Sequence, residues 1–444
     1  MNQLPLKTWV CNVCGFSSAG AEPPHGCPQC GTDRNHFEEI PPAGKRYLII
    51  GAGIAGVSAA DAIHQADPYG KVVLLSDETE LPYFRMNLTR YLAGELDSSK
   101  LDLHSRAWYL ENHIELHLNT KVVDIDARSQ QVFSADGRSY AYDALIMTTG
   151  ASPFVPPFPG VDLAGVQTLR TLRDANAILA VCARPVDVVC IGGGLLGLEV
   201  AGAISRRGAQ VSVVESLPWL LPRQLDQAAS RILQQKIESM GIKVFTGAKT
   251  KALLGEEHVE SVQLEDGSFL PADLVIISAG VSANLELARK AGLAINRGIL
   301  VDDMMRTSDP LIFAAGDDTE HQGRMYGLWI PAKSQGSIAG FSAAGKPAKF
   351  AGDPPSARLK VLGIDLFSIG QISPTENGDL LLVDESGGNY ASFLFRKGVL
   401  IGSILLGDAS LAAKVKSAVE AQEDFSAQLG QGISAAAFKE ALKA

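Results

Sequence analysis

The sequence predicts an α/β fold: two Rossmann-like dinucleotide-binding domains in series, a small metal-binding domain before them and an α+β domain after them. Three observations predict it. An apolar strand runs into Gly51-x-Gly53-x-x-Gly56 and then an alanine-rich helix; the same arrangement returns at Gly192-x-Gly194-x-x-Gly197; and Cys11, Cys14, Cys27 and Cys30 form two C-x2-C pairs near the start. At 444 residues the chain exceeds one compact core, so several domains are expected. Apolar residues at 46% and charged residues at 20% place it among ordinary globular proteins. A net charge of −10 with no basic block argues against nucleic acid as a partner. No apolar run is long enough to span a bilayer and no signal segment opens the chain, so a cytoplasmic protein without a membrane partner is expected.

The cysteine pairs come first. Each C-x2-C can turn two thiolates inward on a tight knuckle, with Gly15 and Gly31 directly after to allow a left-handed backbone. Twelve residues separate the pairs, and two facing knuckles make a tetrahedral site for zinc or iron. A structural zinc ribbon and a redox iron site are both open on spacing alone. Cys182 and Cys190 stand isolated in apolar surroundings and are expected in the core. The flanks Trp9, Phe16, Pro28 and Phe37–Glu38 complete a pattern, W-x-C-x-x-C-G-F…C-P-x-C-G…F-E, that resembles the rubredoxin family. The short gap is similar to the rubredoxin module of rubrerythrins. That resemblance implies one iron held by the four cysteines, carrying one electron at a time. Ile40-Pro41-Pro42-Ala43-Gly44 then reads as a linker.

RYLIIGAGIAGVSAADAI, from Arg46 to Ile63, is strand, glycine turn and helix. Gly51 makes the turn, Gly53 lets backbone approach a pyrophosphate, and Gly56 permits close packing of helix on strand. KVVLLSDE follows, with Asp77 where a carboxylate would hold a ribose hydroxyl. About 140 residues later VDVVCIGGGLLGLEVAGAISRRG repeats the unit, and QVSVVE ends at Glu215. Two units mean two dinucleotides, most economically one bound flavin dinucleotide (FAD) and one exchangeable nicotinamide. Glu215 stands where a 2′-phosphate would need a positive partner, so NADH is expected over NADPH.

The order of motifs resembles the glutathione-reductase-like flavoprotein reductases. YDALIMTTGASPFVPPFPG is similar to their crossover strand, with Thr149 and Gly150 at the flavin; SDPLIFAAGDDTE is similar to their second flavin motif, in which Asp317 would bond the flavin's sugar-alcohol chain. SAGVSANLELARKAGL, with Gly280 assigned to cofactor binding, also matches. PYFRMNLTRYLAGE, LPRQLD and YGLWIPAKSQG resemble, in this order, the NADH:rubredoxin and nitrite-reductase-type reductases. In that resemblance Arg85 belongs to the cofactor site, and Arg90 is the basic residue beside flavin N5 with Glu199 as its acidic partner, the two facing each other. A solvated helix charge is the plainer reading of Arg90, and a first-turn carboxylate that of Glu199.

Absences narrow the chemistry. Neither a C-x4-C nor a C-x-x-C pair, which the disulfide reductases of the group need, follows Cys30, and the place where related enzymes carry a single cysteine is Met86. Electrons from a reduced flavin therefore go to oxygen or to a metal. The resemblance implies passage from NADH through FAD to the fused four-cysteine iron centre and on to a soluble acceptor protein of rubredoxin, rubrerythrin or flavodiiron type. The rivals are an NADH oxidase, or a nitrite-reductase-type delivery flavoprotein, with a structural zinc ribbon. The expected division is residues 1–42 for metal, 45–155 with 281–349 for FAD, 156–280 for NADH, and 350–444 for a last domain. That domain is either a rubredoxin-docking surface or a homodimer interface.

Overall fold

The computed structural model describes residues 7–40, 44–346, 348–352, 356–359, 362–430 and 432–443. Residues 41–43 of the expected linker lie outside them. The front module is a three-stranded antiparallel sheet in the order Ser17–Gly20, Lys7–Cys11, Phe37–Ile40. Buried Phe37, with Trp9 and Phe16 half-buried, packs around Cys11 and Cys27.

The chain divides into two compact units, one comprising Met1–Tyr83, Leu103–Gly150 and Ala283–Ala351, the other Phe84–Asp102, Ala151–Ser282 and Gly352–Ala444. In the first, five parallel strands lie in the order Ile312–Ala314, Ala144–Met147, Arg46–Ile50, Lys71–Leu75, Ile114–His117. Apart from the edge strand Ile114–His117, these are near-continuous apolar runs, as a sheet covered on both faces requires. Helices Ile54–Ala66 and Trp329–Ala343 cross in close contact against it. Small residues allow this approach: a Cβ on Gly336 would sit 2.1 Å from the Ala55 carbonyl oxygen, and one on Gly340 would sit 2.4 Å from that of Ala59.

In the second unit the parallel order is Val166–Gln167, Leu274–Ile277, Asp187–Ile191, Gln210–Glu215, Lys243–Thr246. Cys190 is buried in its central strand and Cys182 at the end of helix Leu172–Val181, both as free thiols. The segment Phe84–Asp102 belongs to this unit, where helix Leu88–Leu92 packs on helix Leu195–Ser205. The last domain is a five-stranded antiparallel sheet, Ser356–Leu359, Leu366–Gly370, Val399–Leu406, Asn389–Arg396, Leu380–Ser386. Helices Ala412–Glu420, Ser426–Leu429 and Ala435–Lys443 follow it. Phe393, Phe395, Phe425 and Phe438 meet edge to face in its core, with ring centroids 5.0 to 6.1 Å apart.

This domain is joined to the nucleotide-binding part by specific contacts. Asp226 caps helix Gln227–Ser239 by accepting from the Ala229 N–H at 2.8 Å, and its other oxygen accepts from the Tyr390 hydroxyl. Leu362 abuts Gly202, where an added Cβ would fall 2.1 Å from the leucine Cδ2. Among the described residues, no helix is long and apolar enough to cross a membrane.

Gly336→Ala places a methyl group against backbone that cannot swing away. It should cost about 1–3 kcal/mol, read as a lower denaturant midpoint at unchanged slope. An unchanged midpoint would show that the two helices can part there.

Candidate functional site

In the front module the Sγ atoms of Cys11, Cys14, Cys27 and Cys30 all lie within 4.8 Å of one another. Cys11 and Cys30 are 3.6 Å apart and Cys14 and Cys27 are 3.5 Å apart. The knuckles close as the spacing predicts: the Gly15 N–H donates to the Cys11 carbonyl and the Gly31 N–H to that of Cys27, each at 2.9 Å, with φ of +78° and +77°. Four convergent thiols, joined by no carboxylate or histidine among the described residues, fit a tetrahedral thiophilic ion. The Thr32 hydroxyl holds the Cys11 and Cys30 thiols below their ordinary range by hydrogen bonding.

The two glycine turns are near copies. Gly51 and Gly192 take φ of +104° and +117°, closed to residues with a side chain. A Cβ on Gly56 would lie 2.0 Å from the Gly51 carbonyl oxygen, and one on Gly197 would lie 2.0 Å from that of Gly192. Around Gly53 and Gly194 nothing lies within 4 Å of an added Cβ. Each of these two caps a helix start with no side-chain hydrogen bond. Open space, unsatisfied first-turn N–H groups and a positive helix end fit a pyrophosphate.

The strand ends differ. The Gly51 N–H donates to Leu75 and the Gly192 N–H to Val214, both at 2.8 Å, which aligns Ser76 rather than Asp77 with Glu215. Strand Lys71–Leu75 stops two residues short of Asp77, which is exposed. Glu215 is 7% exposed; it accepts from the Gly193 N–H at 2.7 Å and the Leu217 N–H at 2.8 Å. Backbone donors thus hold this buried carboxylate. It lines a cavity of about 620 Å³ with Gly192, Gly194, Leu221, Arg223 and Gly280, the last at φ +112°.

Thr149, Gly150 and the AAGDD loop are brought together by a residue that sequence reasoning missed. Asp318, fully buried, accepts from the Thr149 hydroxyl at 2.7 Å and the Gly150 N–H at 3.2 Å. Its other oxygen has no partner among the described residues, and neither has Nε2 of buried Gln335. Oε1 of Gln335 accepts from the Gly316 N–H at 2.9 Å. Asp317 beside them is half-buried. Unpaired buried polar atoms at this loop fit a polar group docking there. Burial pushes the Asp318 carboxyl up to about 7. The doubled acid in the loop was the only signal for it in the sequence.

Arg90 and Glu199 do not form the expected pair. Arg90 is exposed and bonds Glu95 at 3.1 Å, and Glu95 also takes Arg206. Glu199 instead accepts from the Thr89 hydroxyl at 3.2 Å, and burial raises its carboxyl to about 7. Adjacent helical residues point about 100° apart, so Thr89 and Arg90 cannot both face the same carboxylate. Arg85 donates to the Arg170 carbonyl.

Two pyrophosphate cradles on parallel sheets define a dinucleotide-dependent oxidoreductase. Residues 45–336 match the pyridine nucleotide-disulphide oxidoreductase model, 355–423 the rubredoxin NAD+ reductase C-terminal domain, and 9–38 the rubredoxin-like domain of rubrerythrin. The chain belongs to the pyridine nucleotide-disulphide oxidoreductase family, and FAD and NADH are the dinucleotides that membership implies. It is 35% identical over 333 residues to a rubredoxin–NAD(+) reductase of Pseudomonas putida, covering 73% of this chain and 86% of that one. The structure of NADH:rubredoxin oxidoreductase from Clostridium acetobutylicum superposes with a TM-score of 0.75 at 30% identity, over 86% of this chain and 96% of that one. A Bacillus subtilis NAD(P)H nitrite reductase is 34% identical over 385 residues, 86% of this chain and 48% of that protein. The chain spans about half the length of this and the other nitrite and nitrate reductase components it matches.

Asp318 sets a pH dependence of stability. Its carboxyl titrates near 7 when folded and near about 3.9 when unfolded. Between those values the native state keeps a proton that the unfolded chain has lost, so stability falls as pH rises through that window and levels off above it. In Asp318→Asn this component vanishes, so the variant's melting temperature should gain on wild type from about pH 5 to about pH 8. A constant difference over that range would place the acid at its ordinary value.

Proposed function

We propose that this chain passes electrons from NADH through FAD to an iron held by Cys11, Cys14, Cys27 and Cys30, and from there to a soluble acceptor protein. The observation that carries the reading is the four-thiol cluster on a chain with two dinucleotide cradles and no later C-x4-C or C-x-x-C pair. When bound, FAD takes two electrons as a hydride and releases them singly, and iron accepts one at a time. The protein's own part is placement. The Gly51–Gly56 turn would hold the FAD pyrophosphate, Thr149, Gly150 and Asp317 the flavin end, and Glu199 the catalytic carboxyl. Gly192, Gly194, Gly197 and Glu215 would hold NADH. A fused metal module makes the acceptor intramolecular, at an effective concentration set by the linker.

The domain assignment proposed with it is 1–42 for iron, 45–155 and 281–349 for FAD, 156–280 for NADH and 350–444 for acceptor docking. The match of residues 355–423 to a rubredoxin NAD+ reductase domain supports docking over a homodimer interface. A cytoplasmic site of action and an acceptor of rubredoxin, rubrerythrin or flavodiiron type complete the reading.

Anaerobic NADH should bleach both the flavin band and a broad sulfur-to-iron band, and metal analysis should find one iron per chain. Zinc in the thiolate site would leave only the reductase half. Removing residues 1–42 should preserve flavin bleaching and abolish electron delivery to an added acceptor; undiminished delivery would refute the role of the front module. Glu215→Gln should cut the ratio of kcat/KM for NADH over NADPH by about tenfold, a difference of about 1.4 kcal/mol. An unchanged ratio would remove Glu215 from selectivity.

A further inference from the structure

Thr32 sits directly beside the second knuckle. Its Oγ1 lies 3.4 Å from the Cys11 Sγ and 3.3 Å from the Cys30 Sγ. The residue is pinned by its backbone, since the Thr32 carbonyl accepts from the Cys27 N–H at 2.8 Å. It therefore spans one sulfur from each C-x2-C pair. While the cysteines are thiols, either atom of each contact can donate. Once the sulfurs are thiolate ligands they only accept, and the threonine hydroxyl becomes the donor. It has one proton, so it serves one sulfur at a time at nearly equal distances.

We propose that the Thr32 hydroxyl is a positioning and tuning group of the thiolate site, raising the reduction potential of the bound iron by donating to Cys11 and Cys30 in alternation. The inference rests on the iron reading above. Reduction adds one electron, ferric to ferrous, with no proton taken up, and the site gains one negative charge. A hydrogen-bond donor aimed at sulfur favours the more negative state, so the potential rises. A higher potential pulls electrons onto the front module and away from the flavin.

The test uses the full flavin-loaded chain reconstituted with iron, compared as wild type, Thr32→Val and Thr32→Ser. Valine keeps the shape and removes the donor; serine keeps the donor. At a solution potential fixed by a mediator dye, the ferrous-to-ferric ratio should fall about tenfold in Thr32→Val, which is about 59 mV for one electron. Its sulfur-to-iron absorption should move to longer wavelength, and Thr32→Ser should restore both. If the valine protein fails to hold iron, Thr32→Ala takes its place with the same expectation. A valine or alanine protein with the wild-type ratio overturns the proposal, and so does a serine protein that falls as far as valine, because shape alone would then explain the effect. Metal content of the protein as isolated tests the iron reading separately: native zinc would end that reading, while the reconstituted site still reports on Thr32.

Discussion

The architecture depends on one constraint, that a phosphate must approach peptide N–H groups with no side chain in between. Gly53 and Gly194 leave open space at the two helix starts, and Gly56 and Gly197, where a methyl group would meet a carbonyl oxygen at 2.0 Å, let each helix close onto its turn. Gly51 and Gly192 hold backbone angles that other residues rarely adopt. These positions let each helix start directly against the end of its strand. The chain uses this solution twice, and in both copies the helix start is left without a side-chain cap.

That repetition is why so much was legible in the sequence. Glycines at fixed intervals, the acid that ends strand Gln210–Glu215 and cysteines on knuckles are local signals whose geometry is set by neighbours in the chain. Gly15 and Gly31 adopt the left-handed backbone that the knuckles require. Asp318, Thr32 and Gln335 were not legible because their partners are distant in sequence or depend on rotamer. Asp318 reaches Thr149 across 169 positions, and Thr32 reaches Cys11 across 21. Arg90 and Glu199 show the opposite failure: the residue types matched, but a one-residue step around a helix gave the carboxylate to Thr89. Asp77 stands one residue beyond the position that hydrogen-bond register aligns with Glu215.

Two carboxyls, Asp318 and Glu199, are both lifted to about 7, and burial is the main cause in each. They differ in what surrounds them. Asp318 ties two backbone segments of the flavin-type fold together, so its titration belongs to architecture. Glu199 has only a hydroxyl opposing its burial, and it lies in the helix that starts at the second glycine turn. The same physical effect thus acts in two different settings in one molecule.

The strand order of the first sheet also has a temporal side. Ala144–Met147, fully buried and apolar, is flanked on one side by Ile312–Ala314, which the ribosome makes about 165 residues later. At roughly 5–20 residues per second, that strand waits about 10–30 s for its neighbour. In the interval the whole stretch Ala151–Ser282 emerges and can complete its own sheet. A nascent chain of this kind carries a sticky, half-made edge for much of its synthesis. Its demand for chaperone cover should therefore peak during elongation, before release from the ribosome.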